Sequence, residues 1–167
     1  MSDVAVSRHV AAEPAAVWQL VGDPTRMGEW SPEAVSQAWL DGATGPEVGA
    51  RFRGANRIGW RRWSTVCTVV AWTPGREVGW DVSSKGLAVS RWTYRLLPDG
   101  DGTLLVEEFT DRRGALMRLI GLTVRGVSDV TTHNRATMIA TLERIATAAR
   151  AQAGADTARQ GPTTAPS

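Results

Sequence analysis

Glu107, Tyr94 and His133 are the residues whose types suit proton transfer. A carboxyl group turned toward an apolar interior is pushed toward its protonated form and serves as a general acid or base. A phenol such as Tyr94 donates a hydrogen bond to a ligand carbonyl. His133 lies four residues after Asp129, which reads either as a helix-surface ion pair or as a base at the rim of a pocket. Each of the other two also has a plainer reading. Glu107 can pair with an arginine or sit in water at a strand end, and Tyr94 can be satisfied core. His9 and His133 are too few and too far apart in sequence for a metal site, and the lone Cys67 builds neither a disulfide nor a cysteine-rich zinc site. Cys67 reads as a small buried apolar residue. No phosphate-binding loop, dinucleotide fingerprint, HExxH pair or nucleophile elbow occurs, so no metal and no cofactor are expected.

Two compositional features bear on binding. The chain has eight tryptophans against two phenylalanines and one tyrosine. Indoles bring large apolar area with one donor each, so they either line a cavity for a flat, greasy ligand or fill the core. Arg51, Arg53, Arg57, Arg61 and Arg62 form a run with no acid among them. Such a run meets an acidic membrane surface, an acidic protein or a nucleic acid, or is simply the solvated outer face of strands. A formal charge of only +2 argues against nucleic acid as the main partner.

These residues need a frame. A length of 167 residues suits one domain with a real core. No apolar run approaches the roughly 20 residues of a bilayer span, and the first residues lack the pattern of a secretory signal. With a single cysteine, the expected setting is the cytoplasm. Val4 to Val10 alternates as a strand. Pro14 opens a short helix carrying Val17, Leu20 and Val21, and Asp23 can cap a second short helix through Met27. Period-two segments then run Val35–Leu40, Ala50–Arg57, Arg62–Trp72, Glu77–Val82, Leu87–Leu96 and Thr103–Thr110, separated by turn formers. Met138, Leu142, Ile145 and Ala149 mark one face of a long final helix. Residues 1–150 are expected to form the domain, and 151–167, rich in Ala, Gly, Thr and Pro, a disordered tail.

The fold expected is α+β, with a curved seven-stranded antiparallel sheet wrapped around the long C-terminal helix and two short helices between strands 1 and 2. Short turns require antiparallel neighbours, and a sheet of this size must cover one face. Alternation turns Phe52 and Asn56 inward, with Trp63, Thr65 and Cys67 on Arg62–Trp72, Trp80 on Glu77–Val82, and Ser90, Trp92 and Tyr94 on Leu87–Leu96. Thr103–Thr110 is left open, because Leu105, Glu107 and Phe109 share one face while Leu104, Val106 and Glu108 share the other.

Several segments carry a resemblance. Ala12-Glu13-Pro14-Ala15-Ala16-Val17-Trp18, Asp23-Pro24 followed by Met27-Gly28-Glu29-Trp30-Ser31-Pro32, and Trp72-Thr73-Pro74-Gly75-Arg76 resemble motifs of the START-like superfamily, also called SRPBCC. Its members include polyketide cyclases and lipid-transfer domains. Gly102-Thr103 leading to Glu107, and Met138 to Arg144, resemble the family's last strand and helix. The resemblance implies a helix-grip fold with a hydrophobic cavity between sheet and helix, and it favours Glu107 as inward. It carries no universal catalytic motif.

The implied apolar wall is Trp30, Phe52, Trp63, Trp80, Trp92 and Phe109, with Met117 and Met138 offered by the helix. Asn56, Thr65, Ser90, Tyr94 and Glu107 interrupt it. The function expected is binding or transport of a small hydrophobic ligand, a lipid or polyketide-like compound, by a monomer or weak dimer without membrane insertion. The alternative is an aromatase/cyclase or dehydrase working in the same cavity.

Overall fold

The computed structural model describes residues 2–114 and 130–159. Seven strands follow the expected order. β1 is Val4–Val10, β2 Ala34–Trp39, β3 Arg51–Ile58, β4 Arg61–Thr73, β5 Glu77–Ser84, β6 Leu87–Asp99 and β7 Gly102–Asp111. They form one antiparallel sheet in the order β1-β7-β6-β5-β4-β3-β2. β1 and β2 are neighbours in sequence but occupy opposite edges. The chain between them crosses as helix α1, Pro14–Val21, and a 3-10 turn, Pro24–Glu29. Pro14 opens α1 in the first turn, where its missing N–H is no loss. Asp23 caps the 3-10 turn by accepting from the Thr25 backbone N–H at 2.8 Å.

Alternation decides which side faces the core. Val4, Val6 and Val10 are buried on β1, Val78, Trp80 and Val82 on β5, and Leu105, Glu107 and Phe109 on β7. The pairing shifts between Val69 and Ala71 and between Val82 and Ser83. Such bulges bend the strands and increase the twist that curls the sheet. The final helix, α2, spans Val130–Arg159 and packs on β1, β7 and α1. Met138, Leu142, Ile145 and Ala149 are all buried, as their spacing predicts.

One expectation is adjusted. α2 continues to Arg159, past the boundary placed at residue 150. Ala149, Ala151, Ala153 and Ala155 favour helix strongly enough to extend it beyond the packed face. Gly22 ends α1 with φ −66°, in the right-handed region. A Cβ there would lie 2.5 Å from Cε2 of Trp18, so the glycine makes room for an indole.

Hairpin tips alternate between the two ends of the sheet. At one end Ile58 pairs with Arg61 around Gly59 (φ 57°) and Trp60, and Ser84 pairs with Leu87 around Lys85 (φ 50°) and Gly86 (φ 78°). Both are two-residue turns whose positive φ values suit the twist of a hairpin. The β6–β7 turn, with Asp99 and Asp101, lies at the opposite end.

Candidate functional site

Between the sheet and α2 lies a cavity of about 120 Å³. Successive inward residues build it: Phe52, Gly54 and Asn56 from β3, Thr65 and Cys67 from β4, Trp80 from β5, Trp92 and Tyr94 from β6, and Glu107 from β7. Asn134, Thr137 and Thr141 of α2 face them, and Glu33 and Gln37 complete the β2 side. A second chamber of about 110 Å³ is lined by Trp63, Val82, Val89, Ser90, Phe109 and Arg113. Glu33, Asn56, Thr65 and Trp92 line both, so these four side chains form the partition.

The aromatic wall packs on itself. Trp39 meets Phe52 edge-on at 5.6 Å, Phe52 meets Trp80 at 6.1 Å, and Trp80 stacks on Tyr94 at 5.8 Å. Trp92 sits 4.9 Å from Phe109. These rings occupy much of the interior the sheet encloses. An apolar cavity of about 150 Å³ holds a benzene-sized molecule, whereas drug-sized ligands occupy at least about 300 Å³. Each chamber is therefore ring-sized.

Glu107 is 3% exposed and opposes Tyr94 across β6 and β7. Burial pushes its carboxyl up to about 8, and the hydrogen bond from Tyr94 only partly offsets this. Burial and the neighbouring carboxyl also raise Tyr94 well above the usual phenol value. Among the described residues Glu107 Oε2 has no hydrogen-bond partner. At neutral pH the side chain is thus mainly a neutral acid at the edge of the cavity, with an unmatched oxygen. Cys67 is buried and pushed up to about 12 by desolvation, which leaves an unreactive thiol.

The other expected residues divide. Phe52, Asn56, Thr65, Trp80, Trp92, Tyr94 and Glu107 line the first chamber, and Trp63, Ser90 and Phe109 the second. Trp30 does not line either. Its indole N–H donates to the Leu20 carbonyl at 2.9 Å and fastens the 3-10 turn to α1. Met138 is fully buried in the α2 packing and likewise stays out of the lining. Met117 and Asp129 lie outside the described residues. His133 meets Glu33, Nε2 to Oε1 at 2.5 Å, and so ties α2 to a residue that lines both chambers.

The polar residues of α2 and Glu33 are absent from the sequence-based set. Asn134, Thr137 and Thr141 follow a three-then-four spacing beside the apolar stripe, and that spacing is the signal that could have revealed them.

A curled antiparallel sheet gripping one long helix defines the helix-grip class of α+β proteins. Within it, the chain belongs to the family described as "Polyketide cyclase / dehydrase and lipid transport", which matches residues 1–150. Among solved structures it is similar to the Polyketide_cyc-like protein Cgl2372 of Corynebacterium glutamicum, at 29% identity and a TM-score of 0.56, covering 95% of this chain and 94% of that one. The fold is shared with the di-domain ARO/CYC StfQ from the steffimycin biosynthetic pathway, at 14% identity and a TM-score of 0.66, covering 90% of this chain and 51% of StfQ. It is also shared with major latex-like protein 151 of Panax ginseng, at 13% identity and a TM-score of 0.61, covering 86% of this chain and 94% of that one. No curated protein matches the chain. Among the described residues no helix is long and apolar enough to cross a membrane.

Proposed function

We propose that the chain binds a small, largely apolar ligand carrying a hydrogen-bonding oxygen in the cavity between the sheet and α2. The observation that carries this reading is the buried Glu107 carboxyl, whose Oε2 lacks a partner among the described residues, in the chamber that Trp80 and Trp92 also line. Burying an unmatched polar atom costs on the order of 1–3 kcal/mol, a cost that a bound carbonyl or hydroxyl removes. The aromatic faces supply the affinity and the acid supplies the orientation. The chamber sizes favour one ring or a short chain in each, with a longer polyketide-like or lipid ligand reaching across the partition at Trp92.

A cyclase or dehydrase reading draws on the same geometry. The neutral Glu107 is suited to give a proton to a ligand carbonyl, and the His133–Glu33 pair, on the β2 and α2 side, is suited to accept one.

Gly54 offers the test of binding. Its added Cβ would sit 3.4 Å from Thr65 Oγ1, at the edge of ordinary contact, and the methyl groups of Gly54→Val go on from there to take up space in the chamber that Gly54 lines. Native mass spectrometry of protein purified from its cells is expected to show a bound small molecule on the wild type that Gly54→Val loses. Equal loading of both proteins, or no loading of either, would contradict the reading. For the enzymatic reading, turnover of a candidate poly-β-ketone must fall with Glu107→Gln. Unchanged turnover removes Glu107 from that role.

A further inference from the structure

We propose that the end of the sheet formed by the β3–β4 and β5–β6 hairpin tips docks on an anionic phospholipid surface. Trp60 stands at the apex of its hairpin with 81% of its surface exposed, and Leu87 on the neighbouring tip is 46% exposed. Arg61 lies over the Trp60 ring, 4.6 Å from its centre. Arg57, Arg62 and Lys85 are exposed at the same end.

The charge at this end is left unmatched. Elsewhere on the sheet several arginines find acids: Arg51 meets Asp41, Arg91 and Arg112 meet Asp81, and Arg95 meets Glu77 and Glu108, while Arg53 and Arg76 meet no carboxylate among the described residues. Among the described residues Arg57, Arg61, Arg62 and Lys85 meet no carboxylate. The opposite end carries the acidic Asp99 and Asp101. These two tips therefore join unmatched basic charge to exposed apolar side chains.

Basic residues alone would suit nucleic acid equally well. The exposed indole and leucine favour lipid, because an amphipathic ring rests at headgroup depth while arginines meet lipid phosphates. The tips are two-residue turns, narrow enough for Trp60 to reach the interface without unfolding a strand. Trp63 and Val89, each three residues past these turns, line the second chamber, so the docked end is also an end of the cavity region. The docking does not depend on what the cavity binds, and it is measured without any cavity ligand.

The test is sedimentation of the full chain with vesicles of phosphatidylcholine alone and of phosphatidylcholine mixed with phosphatidylglycerol. Binding is expected only to the anionic vesicles and is expected to fall as salt is added. Each basic residue near an anionic surface contributes roughly fivefold in affinity, so the double variant Arg61→Gln/Arg62→Gln should bind about 30-fold more weakly. Trp60→Ser should also weaken binding, while Trp60→Phe keeps most of it. These positions face solvent, and circular dichroism of each variant should match the wild type. Equal binding to neutral vesicles, no binding to anionic ones, or undiminished binding by the double variant would overturn the proposal. So would displacement of the protein from anionic vesicles by a DNA duplex of arbitrary sequence at the same salt.

Discussion

Glu107 is the residue on which chemistry and stability meet. Its carboxyl is raised from an ordinary value of 4.5 to about 8 by burial. Below about pH 4.5 both the folded and the unfolded chain hold this proton. Between there and about pH 8 only the folded chain holds it, so the unfolded chain gains by ionising and stability falls as pH rises. Above that range the loss is complete, on the order of 5 kcal/mol. Glu107→Gln keeps the shape and removes the ionisation. Chemical denaturation from about pH 5 to 8 should therefore show a flatter profile for the variant, with its advantage over the wild type growing toward the alkaline end. Parallel profiles would mean that Glu107 reaches water. Alternation alone left its side of β7 undecided, because Glu107 and Glu108 stand on opposite faces with equally apolar neighbours. The resemblance broke the tie, and the pairing explains it: Glu108 lies outside against Arg95 at 2.7 Å while Glu107 opposes the buried Tyr94.

At the scale of elements, the strands and the final helix could be read in the sequence because period two and the 3.6-residue spacing are local signals. Which side chains from different elements meet is not a local signal. His133 meets Glu33, one hundred residues away on the chain, a contact that no local spacing shows. Trp30 lies in a motif associated with the cavity, yet its N–H fastens α1 to the 3-10 turn. The same applies to Gly22, which sits under the Trp18 ring. Trp18 packs at 6.3 Å from Trp72, whose N–H donates to the Gly22 carbonyl at 3.2 Å. Gly22→Ala would drive a methyl group into that indole. It should destabilise the protein by about 1–3 kcal/mol through overpacking, read as a lowered melting temperature. A variant as stable as the wild type would show that the Trp18–Trp72 pair yields freely.

For the whole molecule, curvature was the feature the sequence implied most securely and interior volume the least. Seven strands joined by tight turns must curl, but how much space remains depends on how Trp39, Phe52, Trp80 and Tyr94 stack across strands. Trp18, Trp30 and Trp72 brace α1 and the 3-10 turn, and Trp60 faces solvent, so only Trp63, Trp80 and Trp92 line the chambers. The central claim is that this reduced space still receives a ligand against Trp80 and Glu107. Nuclear Overhauser contacts in the full chain, with acetophenone as a compact ring bearing a carbonyl, test it directly. Contacts from the ketone to the Trp80 and Trp92 indoles, lost in Gly54→Val, are the predicted result. Contacts confined to exposed residues, or identical spectra from the two proteins, would contradict it.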